Sequence, residues 1–270
     1  GEDSLLVYDL VPHNNTLGIV MEDIGGIPLS QAIESMQLSL PEKLSIAIKI
    51  ADCLSVIHKK NIIHKNINPS NIIWNKETNR VEIIDYAIAV ELKREMAHKM
   101  NLHFFEGSAK YYSPEQTGRI NRPVDSRSDL YSLGITLYEL FTSERPFTGK
   151  DDSELIYSQI AKKPEPPHTI KKNIPEMVSM ILLKLLEKDA DDRYQMASGV
   201  KKDLEQCLDN VLYNNEVIPF EIGKFDISDQ LKISGKLYGR DEALEVLKIR
   251  FNDVADGKSA LMMIQGNAGI

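Results

Sequence analysis

Short apolar runs from Leu5 to Val11 and from Leu17 to Glu22 flank the turn-forming His13-Asn14-Asn15, which predicts two strands joined by a hairpin; Gly25-Gly26 then ends that sheet. Pro41 stands just inside an apolar-rich stretch that runs to about Ile57. A first-turn proline is tolerated because its missing N–H would have no intrahelical partner, so the stretch reads as a long helix, apolar nearly all round and therefore buried. Between Asn61 and Ile84 the pattern changes to short β-rich runs, Ile62-Ile63, Ile72 to Trp74 and Val81 to Ile84, separated by turn residues. Loops that carry function are commonly mounted in this way. Beyond Asp125 the spacing is helical: Leu130, Gly134, Leu137, Tyr138 and Phe141 share a face, as do Val178, Ile181, Leu182 and Leu185, and then Val200, Leu204, Leu208 and Val211. Three or more helices therefore pack together. After Asn214 a mixed stretch with Pro219, Gly223 and Gly235 reads as a linker, before a new helix from Asp241 to about Asp253 and a strand from Ala260 to Ile264.

Composition narrows the class. The 270 residues, 42% apolar and 27% charged, suit a soluble globular protein with one main domain and part of a second. A formal net charge of -8 runs against a nucleic-acid footprint, which needs clustered Lys and Arg. Cys53 and Cys207 lie far apart in helical patterns, suggesting neither a disulfide framework nor a metal cluster and fitting a reducing cytoplasm. No apolar run reaches the length of a membrane span and no signal peptide leads the chain; Gly1 and Ile270 read as cuts in something longer. His58, His98, His103 and His168 have no ligand spacing and read as surface or packing residues, and Trp74 as core.

The chemistry-bearing segment is His64-Lys65-Asn66-Ile67-Asn68-Pro69-Ser70-Asn71, followed by Asp85-Tyr86-Ala87. It resembles the protein-kinase catalytic loop H-R-D-L-x-x-x-N and the metal-binding D-F-G. The resemblance continues in order through Gly107-Ser108, Tyr111-Tyr112-Ser113-Pro114-Glu115 (like A-P-E), Asp129 to Gly134, and Asp192-Arg193-Tyr194. It covers roughly residues 1–213 and implies an α+β, protein-kinase-like fold: a remnant of the N-lobe over 1–21, a hinge at 22–26 and a helical C-lobe over 27–213. Val20 to Gly26, Ser113 to Arg119 and Leu237 to Arg240 further resemble large bacterial signalling proteins that join a serine/threonine kinase domain to an AAA-type ATPase and a sensor histidine kinase. That likeness makes 214–237 a linker and 238–270 the truncated start of a P-loop α/β ATPase domain, with Gly266-Asn267-Ala268-Gly269-Ile270 as the first positions of the phosphate loop.

The resemblance implies ATP and Mg²⁺ as cofactors, with Met21, Glu22 and Ile24 around adenine, and Asn71 and Asp85 as hard oxygen ligands for the metal. Phosphoryl transfer relies mostly on positioning and charge neutralisation. Asn66 stands where the family has its catalytic aspartate, and a neutral amide cannot take the substrate's proton. Asn68 stands where serine/threonine kinases carry a phosphate-neutralising lysine. Losing a general base typically costs about 10²–10⁴ in rate. Ala87 replaces the D-F-G glycine, and Lys65 the arginine that clamps a phosphorylated activation loop; between Tyr86 and Gly107 no Ser, Thr or Tyr could carry that phosphate. His64, Tyr86, Glu115, Asp129 and Arg193 take structural roles, with Glu115 pairing Arg193 and Asp129 holding the catalytic-loop backbone. The expected activity is ATP-dependent transfer to protein Ser/Thr, impaired in this copy. The alternative is an inactive pseudokinase module that signals through a protein partner or through other domains of its polypeptide.

Overall fold

The hydrophobic pattern is realised mainly as a helical bundle with small antiparallel sheets along one side. The computed structural model describes residues 6–13, 16–91, 109–214 and 216–227, with single positions at 245, 246, 249, 250, 259 and 263. Residues 1–229 form one unit and 230–270 another. In the second, positions 245, 246, 249 and 250 are helical, and Met263 is exposed and outside any strand. The rest of the expected second domain, including Gly266 to Ile270, lies outside the described residues.

In the first unit, β1 (Val7–His13) and β2 (Thr16–Met21) form an antiparallel hairpin in which Leu10 lies opposite Ile19, both exposed. Gly25 takes a left-handed φ of 64°, and at Gly26 a Cβ would sit 2.8 Å from the carbonyl oxygen of Trp74. Only a residue without a side chain lets the chain come this close, and the approach lays β3 (Ile27–Pro28) on the edge of β5. β5 (Ile72–Asn75) pairs in turn with β6 (Arg80–Ile83), and β4 (Ile62–Ile63) with β7 (Val90–Glu91). Along β5, Ile72 and Trp74 are buried while Ile73 and Asn75 are less so, the period of two that a half-covered strand needs.

Helix α1 (Leu29–Ser35) follows β3 at once. α2 (Leu40–Lys59) starts on a capping box, with the Glu42 N–H donating to Ser39 Oγ and the Ser39 N–H to Glu42 Oε2. Its Leu44, Ala47, Ile50, Ala51 and Leu54 are fully buried. α3 (Ser126–Thr142) is the central element: fourteen of its seventeen residues are buried. Helices that are covered all round must satisfy their polar side chains internally. The Thr136 hydroxyl accordingly donates to Ser132 O and that of Ser132 to Tyr111 O. α4 (Asp152–Ala161), α5 (Pro167–Ile170), α6 (Glu176–Leu185) and α7 (Ala197–Asn214) complete the bundle. α6 lies close against α3 because Gly134 leaves room: a Cβ there would sit 2.8 Å from that of Leu185. α7 lies along α2, sharing one core through Val200, Leu204 and Cys207.

Past α7, residues 216–227 return along the helical lobe. Val217, Phe220 and Ile222 pack against the main core, and the Asp226 carboxylate accepts the N–H groups of Gln195 (2.6 Å) and Met196 (2.9 Å), just ahead of α7. The first part of the stretch read as linker is therefore a packed strap. The arrangement is α+β and kinase-like, a helical lobe with short sheets.

Candidate functional site

The central loop connects β4 to β5. After Ile63 the chain makes a sharp turn in which Lys65 takes a left-handed φ of 66°, a conformation that costs a side-chain-bearing residue about 1–2 kcal/mol. The turn is clamped by buried acceptors and donors. The fully buried Asp129 accepts the N–H of His64 (2.8 Å) and of Lys65 (2.7 Å), and Gln116 Nε2 donates to Lys65 O (2.9 Å). His58 Nε2 lies 2.9 Å from the same carboxylate, which can only accept, so that nitrogen carries its proton. His58 is thus not a bystander to packing, and sequence spacing gave no sign of its partner, 71 positions away.

His64 is itself buried between the two halves of the site. Its Nε2 lies 3.1 Å from Ile84 O and its Nδ1 accepts the Asn66 N–H at 3.3 Å, which fixes the tautomer with the proton on Nε2. Burial lowers its pKa below the ordinary histidine value, outweighing the pull of Asp129, so the ring is neutral near pH 7. Tyr86 packs edge-on against it, ring centroids 4.7 Å apart, with its other side exposed.

This framework brings Asn66, Asn68, Asn71 and Asp85 together. Asn68 caps the 3₁₀ turn Pro69–Asn71, its Oδ1 accepting the Ser70 N–H at 3.0 Å. Asn68 Nδ2 donates to Asn66 O (3.0 Å) and Asn66 Oδ1 (3.1 Å). Asp85 arrives at the end of β6 with a left-handed φ of 68°, held in register by the Ile84 N–H bond to Asn71 O. Its Oδ2 accepts Asn66 Nδ2 at 2.9 Å and Asn71 Nδ2 at 3.4 Å, and its Oδ1 accepts the Ala87 N–H at 3.4 Å. Ala87 itself does not adopt a positive φ. Among the described residues no cluster of three His, Cys, Asp or Glu side chains forms a metal site. The hard donors here are the one carboxylate of Asp85 and the carboxamide oxygens of its neighbours.

Of the residues expected around adenine, Met21 ends β2 and Glu22 begins the connection to β3. The Glu22 carboxylate is committed to Arg80, with contacts of 2.6 and 2.9 Å, and the Arg80 hydrogen bond holds it below the usual carboxylate range. Ile24 O accepts Asn75 Nδ2 at 2.7 Å, tying the connection to β5. Asn75 and Gln116 are positioning residues that sequence reading missed; both act through backbone carbonyls, which leave no trace in residue spacing.

Away from the catalytic loop, Glu115 and Arg193 form a buried bidentate pair at 2.7 and 2.9 Å. Burial alone would raise the Glu115 carboxyl, but the Arg193 guanidinium, with the Ser128 hydroxyl at 2.7 Å, outweighs it and holds the group below its ordinary value. The guanidinium also donates to the carbonyls of Glu187, Arg127 and Lys188, so the chain preceding α7 is fastened to α3. Among the described residues no helix is long and apolar enough to cross a membrane.

Comparison with known proteins agrees with this geometry. The family description "protein kinase domain" matches residues 5–204. A probable serine/threonine-protein kinase of Clostridium perfringens is 37% identical over 74% of this chain and 29% of its own length, and one of Streptomyces coelicolor is 35% identical over 71% and 28%. A hybrid signal transduction histidine kinase of Dictyostelium discoideum is 30% identical over 84% of this chain but only 9% of its own length. The chain thus spans less than a third of the length of each of these relatives. With the match extending from the hairpin to α7, the chain belongs to the protein kinase domain family.

Proposed function

We propose that this chain is a serine/threonine kinase-type domain that takes ATP and Mg²⁺, and that its phosphoryl transfer to protein Ser/Thr is impaired by Asn66 and Asn68. The observation that carries this reading is the orientation of Asn66: its Nδ2 donates to Asp85 Oδ2, so the position suited to a proton acceptor holds a donor. The donor set fits a hard divalent cation. Asp85 supplies a carboxylate, and Asn71 a carboxamide whose nitrogen lies 3.4 Å from it. When bound, the metal would neutralise charge on the phosphates. Asn71 would serve it once its amide turns to offer oxygen. Met21, Glu22 and Ile24 would line the adenine end.

A second reading, a pseudokinase that signals through partners or through other domains of its polypeptide, is favoured by the same Asp85 carboxylate, since both of its oxygens accept hydrogen bonds from the chain itself. We read residues 1–213 as the kinase domain, with the strap and its continuation to 237 leading to an AAA-type segment over 238–270. A sensor context is supported by the similarity to a hybrid histidine kinase, and a cytoplasmic setting by the two free cysteines.

The test is transfer from labelled ATP to a generic Ser/Thr protein by the full-length protein and its Asn66→Asp variant. The variant is expected to be faster by about 10²–10⁴. Equal, fast rates would show that Asn66 does not stand in for a base; no transfer by either favours the pseudokinase.

A further inference from the structure

Asn66 and Asn68 look like two separate losses in the sequence, but the hydrogen bonds make them one device. The Ser70 N–H donates to Asn68 Oδ1 (3.0 Å), Asn68 Nδ2 to Asn66 Oδ1 (3.1 Å), and Asn66 Nδ2 to Asp85 Oδ2 (2.9 Å). The direction of this relay is fixed at both ends. A backbone N–H can only donate and an ionised carboxylate can only accept, so neither amide can be turned over without setting like poles against each other. Asn68 is 6% exposed, so its own amide is held among protein atoms, while the Asn66–Asp85 end of the relay is open to solvent. The same Asp85 oxygen that Asn66 occupies is one that a divalent cation would need.

Resting on the reading of Asp85 as the cation ligand, we propose that Asn68 is a positioning residue that turns the Asn66 amide nitrogen onto Asp85, so that the pair competes with a divalent cation for this carboxylate and weakens metal binding at the site. Without Asn68, turning the Asn66 carboxamide costs only its bond to Asp85, which a bound cation would replace, so its oxygen can join Asp85 as a second hard ligand. With aspartate at 66, two carboxylates face each other, a repulsion that a bound cation relieves.

The experiment is titration of the full-length protein with Mn²⁺ alone, free metal being read from its paramagnetic resonance signal. Asn68→Ser is the informative variant, because serine can still cap the turn at Ser70 but is too short to reach Asn66. It is expected to tighten Mn²⁺ binding about tenfold, the worth of roughly one hydrogen bond. Asn66→Asp should tighten it further, and Asn68→Ser should add nothing in the Asn66→Asp background because its effect passes through Asn66. Adding Asp85→Asn should abolish every gain. A purely structural role for Asn68 would lower thermal stability in both backgrounds without raising affinity. If the unaltered protein and Asn68→Ser bind Mn²⁺ equally and through Asp85, the relay is wrong while the reading of Asp85 survives. If no variant binds Mn²⁺, both fall.

Discussion

Replacing Asp129 by alanine isolates how much of the catalytic-loop shape is imposed from α3. Asp129 is fully buried and accepts from His64 N, Lys65 N and His58 Nε2. Alanine leaves the two backbone N–H groups without acceptors in a site closed to water, at about 1–3 kcal/mol each, whereas the partly exposed His58 can turn toward solvent. Part of this is recovered as Lys65 relaxes from its left-handed conformation, worth about 1–2 kcal/mol. The net expected loss is roughly 1–4 kcal/mol, equivalent for a domain of this size to a Tm lower by roughly 2–16 °C. Calorimetry measures the loss, and hydrogen exchange localises it: the His64 and Lys65 amides should lose protection while those of α7 keep theirs in the native state. A loss under about 0.5 kcal/mol with those amides still protected would show that the loop holds its own shape, refuting the clamp.

Two further perturbations test the scaffold. Asp226→Ala removes the acceptor for the Gln195 and Met196 N–H groups and should cost about 1–2 kcal/mol in denaturant unfolding, as loss of a helix cap does; no change in midpoint would mean the strap contributes nothing there. Lys188 gives a pH signature: burial, aided by the Arg193 guanidinium, brings its ammonium down to about 7, against roughly 10.4 in an unfolded chain. Between those values the unfolded chain holds a proton that the folded one has released, so stability rises from about pH 7 until about pH 10.4, and Lys188→Met should flatten that rise. An unchanged slope in the variant would assign it to another group.

Local signals carried much of the fold. The α2 reading from Pro41 to about Ile57 falls within the observed Leu40–Lys59, because proline near the start and the Ser39/Glu42 box act within one turn. The central helix was likewise legible from Leu130, Leu137 and Phe141. Helix α1 went unread because seven residues hold too little periodicity, and β7 because a two-residue strand exists only through its partner β4. The chemical positions Asn66, Asn68, Asn71 and Asp85 were found through motif spacing, and the structure brings the four together. Their hydrogen-bond directions could not be read that way, since an asparagine donates or accepts according to neighbours brought in by the fold. The strap escaped notice for a similar reason: Val217, Phe220 and Ile222 keep no regular period, and their common surface is supplied by the helices beneath.

The strap also decides where mechanical load enters the domain. Tension applied to the chain beyond residue 227 is borne first by the Asp226 carboxylate and passes to the backbone of Gln195 and Met196. Two residues earlier, Arg193 is locked to Glu115, and Ser128 joins that carboxylate to the helix that also carries Asp129. A pull from the C-terminal side is therefore delivered, through a few short polar links, to the helix whose Asp129 clamps the catalytic loop.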